Sequence, residues 1–281
     1  MSLVSSYFPI PPTIKVEELS LEIAGSTTFL NIPNNRLKNS IFAKSYNQVI
    51  YLGLYSLEKY NWNLIKVFKT SPYEFIKIER KDFDCHPNQM LILVPQKANN
   101  FPKLPKKLPK PDSLRIDRSP IAERCSLNFS FKNSITSYQG EYPYEMALLT
   151  KSTFFSFDAI KPSFHKDEVL NFIIYMNINI DSNLQEEVKI NFFNPCKKFL
   201  KKEFLARRNA FTIHRIKEEN DVEQINPVCF YTSENCSFIP INMTLNLKTN
   251  QLSAEHTHPP TEFFYGLNKI DGVRLLKKTW L

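Results

Sequence analysis

Glycine is scarce in this chain, with five residues in 281. That count argues against a Gly-rich nucleotide-binding scaffold, and neither GxGxxG nor a P-loop sequence occurs. The nucleophile elbow GxSxG is missing too. The five cysteines, Cys85, Cys125, Cys196, Cys229 and Cys236, contain no CxxC pair, which speaks against a structural zinc site built on thiolates. An odd count at wide spacings is a poor disulfide framework, so buried free thiols are expected. Cys229 and Cys236 are nevertheless close enough in sequence to face each other across a hairpin.

Long apolar runs are also absent. The longest, Val169 to Ile180, is interrupted by Asn171, Asn177 and Asn179, too short and too polar for a bilayer. The segment Met1 to Pro12 lacks the basic and apolar regions of a secretory signal. A soluble, cytoplasmic protein is therefore expected, and the sequons at Asn128, Asn235 and Asn242 carry no weight. No repeat recurs at a fixed period.

Aromatic residues are plentiful: 23 Phe and 12 Tyr within a 42% hydrophobic composition. That is enough for a sizeable core, and aromatic and β-branched enrichment favours strands. The 19 prolines imply short elements broken by turns. A formal charge of +8 and a pI near 9.1 permit attraction to anionic partners and, as the plainer reading, aid solubility.

Prolines and lysines concentrate between Pro95 and Pro120. Proline fixes φ and removes a donor, so this stretch reads as an extended connector. It divides the chain into an N-terminal β-rich part (1–94), the connector (95–120) and a C-terminal β-sandwich-like part (121–281). The connector is either a linker or a crossover strapped over one domain.

Alternation with a period of two is the dominant local pattern. Ile14 to Ile23, Ile41-Phe42, Val49 to Leu52, Leu64 to Phe68, Phe75 to Glu79 and Met90 to Val94 read as strands in the first part. Asn61-Trp62-Asn63 reads as the turn between two of them. Leu127, Phe129 and Phe131, then Phe172 to Ile180, Val188 to Phe193 and Phe211 to Ile216, follow in the second. Met243 to Leu247 and Leu252 to His258 form a hairpin around Lys248 to Gln251. The expected fold is mostly β: an antiparallel sandwich or related barrel. One short basic helix is expected from Pro195 to Arg208, capped by Asn194.

Three segments carry candidate chemistry. In Glu255 to Glu262, His256 and His258 are two residues apart, so in a strand both face one side and can chelate one ion. Glu262, beyond the Pro259-Pro260 turn, supplies a carboxylate, and His214 is a candidate from another strand. Zn, Fe and Mn are the divalent metals such a donor set takes. This His-x-His-x3-Glu spacing resembles the first half of the cupin metal motif, which implies a β-barrel metal enzyme. Asn250 stands where cupins place a glycine, and no later His follows. His-Thr-His-Pro is also similar to the JAMM-type metalloprotease motif, although the nearest Asp, Asp271, follows after twelve residues instead of ten. The plainer reading makes these strand-end histidines bonded to backbone carbonyls.

The second segment is Tyr138-Gln139-Gly140-Glu141-Tyr142-Pro143-Tyr144-Glu145. Rings that stack on sugars stand beside Gln139, Glu141 and Glu145, which can bond hydroxyls. Two carboxylates here also admit a glycosidase pair. The third is the basic run Lys197 to Arg208, a candidate phosphate-backbone contact; nucleic-acid binding through this run and the connector is the weaker alternative. The leading expectation is a module that recognises a carbohydrate or a partner protein through loops of a sandwich. A cupin-like metal enzyme is the alternative.

Overall fold

The computed structural model describes residues 6–32, 49–86, 89–96, 105–111, 123–144, 146–148, 152–155, 168–193, 200–216, 230–233 and 236–256. Its strands lie in antiparallel sheets, and the chain separates into two compact units. The first unit holds residues 1–130, 137–145 and 180–183; the second holds the rest. The expected mostly β, sandwich-like class is what the chain adopts. No helix among the described residues is long and apolar enough to cross a membrane.

The first unit is built from β1 (Ser6–Pro9), β2 (Ile14–Val16), β3 (Leu21–Asn31), β4 (Ile50–Glu58), β5 (Asn61–Thr70), β6 (Phe75–Glu79), β7 (Leu91–Gln96), β8 (Glu123–Phe131) up to residue 130, β9 (Ser134–Gln139) from residue 137 on, and β10 (Tyr142–Pro143). One sheet has the order β10-β1-β7-β4-β5. The other runs β2-β3-β8-β9, with β6 also paired to β3. Strands from beyond the connector thus pair with strands before it: β8 with β3, and β10 with β1. Between the sheets, Phe8 of β1 meets Phe29 of β3 with ring centroids 5.2 Å apart.

Two glycines permit close approach in this unit. A Cβ on Gly25 would lie 2.4 Å from the carbonyl oxygens of Pro11 and Pro12, so β3 can rest against that segment only without a side chain there. A Cβ on Gly140 would lie 1.5 Å from Leu127 Cδ1.

The connector is partly docked. Leu108 is buried, and Asn183 Nδ2 donates to the Lys106 carbonyl. Tyr7, one residue from Phe8 and so on the other face of β1, donates its hydroxyl to the Pro109 carbonyl at 3.1 Å. The Lys110 ammonium sits 4.7 Å from the Tyr144 ring centroid. Residues 105–111 therefore form a strap on the first unit.

The second unit comprises β11 (Ser152–Phe155), β12 (Val169–Met176), β13 (Glu187–Phe193), β14 (Leu200–Arg207), β15 (Phe211–Ile216), β16 (Phe230–Ser233), β17 (Ile239–Asn246) and β18 (Gln251–His256). Its sheets run β11-β16-β13-β14 and β15-β12-β17-β18. Ile173 and Tyr175 of β12 join Val188, Ile190 and Ala206 in one buried cluster, with Phe204 packed against it. The alternation of Phe172, Ile174 and Met176 marked one apolar face of β12. Both faces are buried: Ile173 and Tyr175 pack against Val188, Ile190 and Ala206 of β13 and β14, and Phe172, Ile174 and Met176 are buried on the opposite side.

Two local expectations are corrected. The basic helix expected over 195–208 is a strand from Leu200 to Arg207; residues 194–199 lie outside the described set. Spacing of four between Leu200 and Phe204 satisfies both periods, and pairing with β13 decides between them. In the strand, Ala206 is buried while Glu203, Leu205 and Arg207 are exposed. Glu203 bonds Lys189 at 3.1 Å, and Arg207 lies opposite Glu187 at 3.7 Å. A partner strand thus outweighs local helix propensity.

The turn expected at Asn61-Trp62-Asn63 lies instead at Lys59-Tyr60. Both of those residues have positive φ, 42° and 68°, the requirement of a tight type I′ hairpin. Trp62 is inside β5, opposite Leu57 and fully buried. The later hairpin matches its expected turn: Asn246 Oδ1 accepts the backbone N–H groups of Lys248 and Thr249, both at 3.0 Å. The expected strand at Ile41-Phe42 lies outside the described residues.

Candidate functional site

Strict alternation in β3 and β8 gives their sheet two unlike faces. Ile23, Phe29, Leu127 and Phe129 are fully buried. The intervening Ser26, Thr28, Ser126 and Asn128 belong to the opposite face. Register sets these polar groups side by side. Thr28 stands opposite both Ser126 and Lys77, Ser26 opposite Asn128 and Glu79, and Leu30 opposite Phe75. Asn128 Nδ2 donates to Thr28 Oγ1 at 3.1 Å, and Ser126 Oγ donates to Asn128 Oδ1 at 3.1 Å. The row is therefore a hydrogen-bonded ladder of short side chains.

A groove of about 610 Å³ runs over this region, lined by Thr28, Leu30, Phe75, Cys125, Ser126, Ser137, Tyr138 and Gln139. Phe75 is 67% exposed at one end, and Ser137 and Gln139 are exposed along β9. Every lining residue is uncharged at neutral pH. Burial pushes the Cys125 thiol well up, with the Glu141 carboxylate adding to the effect. Burial likewise raises the Tyr138 phenol, with Cys125 adding. Beside the groove, hydrogen bonds from Lys77 and Lys81, each at 2.5 Å, hold the Glu79 carboxyl down to about 2. That carboxylate is spoken for by its own neighbours.

The tyrosine-rich segment divides its work. Gly140 N–H donates to the Cys125 carbonyl at 3.1 Å, and Cys125 N–H donates to Glu141 Oε1 at 3.1 Å. Those bonds pin the segment along β8. Tyr142 is fully buried, paired with Tyr7, and Tyr144 is half-buried under Lys110. Of the expected ligand-binding set, Tyr138 and Gln139 reach the groove, whereas Glu141, Tyr142 and Tyr144 hold β8, β1 and the strap. Glu145 lies outside the described residues.

The candidate metal ligands are placed only in part. His214 lies in β15, where its Nε2–H donates to the Leu205 carbonyl at 2.8 Å. Its ring packs on Phe204 at 4.8 Å and Tyr175 at 5.9 Å between centroids. The backbone of His256 ends β18, opposite Ile241. Strands β12 and β17 stand between β15 and β18, a separation of roughly 14 Å at the usual strand spacing. His258 and Glu262 lie outside the described residues. Among the described residues, no three His, Cys, Asp or Glu side chains converge as metal ligands would. Two of the sequons, Asn128 and Asn242, are buried side chains.

Sequence reasoning did not single out Thr28, Leu30, Phe75, Ser126 or Ser137. The available signal was the Ser/Thr/Asn set at alternate positions of β3 and β8, which marks a polar sheet face opposite the apolar one. Fold and site together define an all-β, sandwich-like protein with an uncharged groove on one sheet. Compared with protein-family models, curated proteins and solved structures, the chain matches none.

Proposed function

We propose that the protein is a binding module that takes a neutral glycan in the groove between Phe75 and Gln139. One observation carries this reading: hydroxyl and amide groups line an uncharged groove beside a mostly exposed aromatic ring. Sugars offer the complementary pattern, with hydroxyls that donate and accept and an apolar C–H face that packs on a ring. Ser137 and Gln139 supply donors and acceptors; Phe75 supplies the platform. Thr28 and Ser126, already tied to Asn128, are held in position before any ligand arrives, which lowers the ordering cost of binding.

A glycan array probed with the purified chain and its Phe75→Ala variant tests this. A discrete class of neutral glycans should be retained by the native chain. Loss of the ring should weaken binding about tenfold, which is about 1.4 kcal/mol. An array with no retained glycan, or equal binding by the variant, refutes the proposal.

A further inference from the structure

Strand β5 is the outer edge of the sheet β10-β1-β7-β4-β5, and among the described residues it pairs with β4 alone. Leu54 stands opposite Lys66 and Tyr55 opposite Leu64, so Ile65 is the extra residue of a bulge. Beyond it, Lys66 to Lys69 continue in regular register against Leu54 to Tyr51. An edge strand presents unpaired N–H and C=O groups along one side, a template for another strand. This edge is also apolar: Ile65 and Val67 are 44% and 43% exposed.

Within the strand itself the charge is of one sign. Residues 61–70 contain Lys66 and Lys69 and no acid. The Lys66 ammonium lies 5.0 Å from the Phe68 ring centroid and 5.9 Å from that of Phe83, which keeps it at the edge. Antiparallel pairing of two copies about the centre of this run would set Lys66 against Lys69, a like-charge pair that disfavours self-association.

We infer that the β5 edge is a docking site for an extended acidic peptide segment of a partner protein, added as a further strand. Main-chain bonds supply affinity in this mode, and alternate side chains supply selectivity. Lys66 and Lys69 are three residues apart and so face opposite sides of the sheet. The fitting segment therefore carries two acids with two β-branched residues between them, the acids opposite the lysines and the apolar pair opposite Val67 and Phe68. This site is separate from the glycan groove and does not depend on it.

The test is a fluorescence-anisotropy titration of the full chain with a capped, labelled peptide bearing a Glu-Val-Val-Glu core. A Lys-Val-Val-Lys peptide serves as the mismatch. The acidic peptide should bind at least tenfold more tightly, and added salt should erode the difference. The double variant Lys66→Glu/Lys69→Glu should reverse the preference. Equal affinities for the two peptides, or no saturable binding of the acidic one up to about 1 mM, overturn the inference. Dimerisation of the chain that excludes the peptide overturns it as well. The two peptides on the native chain decide the matter even where the variant fails to fold.

Discussion

Replacing Gly25 by alanine opposes two effects of different sign. Gly25 has no positive φ, so its backbone accepts an L residue without conformational strain. On that ground alone, alanine should stabilise by about 0.7 kcal/mol, because the unfolded chain loses freedom. The packing says otherwise. The new Cβ would sit 2.4 Å from two carbonyl oxygens, Pro11 O and Pro12 O, where real Cβ contacts stay above 3.0 Å. Both obstacles are backbone, and proline stiffens both residues, so no side chain can swing aside. Relief requires the 11–12 segment to move away from β3. That movement strains the buried bond from Thr27 Oγ1 to the Pro9 carbonyl, now 2.7 Å. Overpacking of this kind costs about 1–3 kcal/mol, and a weakened buried hydrogen bond adds about 1. The net expectation is destabilisation of about 2 kcal/mol. Urea denaturation followed by Trp62 fluorescence reads it out, in a Trp280→Phe background so that one indole reports. Trp62 is fully buried in the same unit. A variant as stable as the parent, or more so, would refute the placement of Pro11-Pro12 against β3.

Other expectations follow from single contacts. Tyr7→Phe removes the hydroxyl bond to Pro109 and should cost about 1 kcal/mol, with faster proteolysis within 105–111; an unchanged cleavage rate would contradict the docked strap. Glu79 titrates near 2 in the folded chain against an ordinary 4.5. Its folded value is depressed, so its contribution is present above 4.5 and is lost as pH falls from 4.5 towards 2. Glu79→Gln should flatten the stability profile in that window, and identical acid profiles for both proteins would dismiss the ion-pair account. Burial pushes the Cys236 thiol up to about 12 from 9.0. Its contribution is therefore full below pH 9 and lost as pH rises towards 12. Cys236→Ala should remove that alkaline loss, and in the native chain Cys236 should resist a thiol reagent until unfolding, as mass mapping of labelled peptides would show.

Much of the fold was legible locally. Leu127, Phe129 and Phe131 alternate with Asn128, Ser130 and Lys132, and β8 buries the first set. The hairpin β17–β18 was equally readable, because its polar turn interrupts two alternating runs. The segment from Leu200 to Arg207 was not: its spacing satisfied helix and strand alike, and only β13 distinguished them. The Lys59-Tyr60 turn was obscured by the absence of Gly, Asn or Asp at positions of positive φ. Lysine and tyrosine bear that conformation because β4 and β5 close on either side.

The candidate site was less legible. Tyr138 and Gln139 were visible as members of a shaped aromatic segment, and both line the groove. Thr28, Phe75 and Ser126 carry no signal of their own, since single Ser, Thr and Phe residues are ordinary in strands. They meet because β6 and β8 flank β3 in one register, which puts Thr28 opposite Ser126 and Phe75 opposite Leu30, two residues further along β3.

The order of apolar and polar side chains by itself determined that this chain forms pleated strands, because a period of two can bury one side only when the backbone is extended. The tertiary structure alone decided which strands are neighbours. Pairing is made by backbone groups that are chemically alike in every residue, so the choice among partners rests on packing between distant segments. That choice put Thr28 beside Ser126, left β5 on an outer edge, and turned a basic run with helical spacing into a strand.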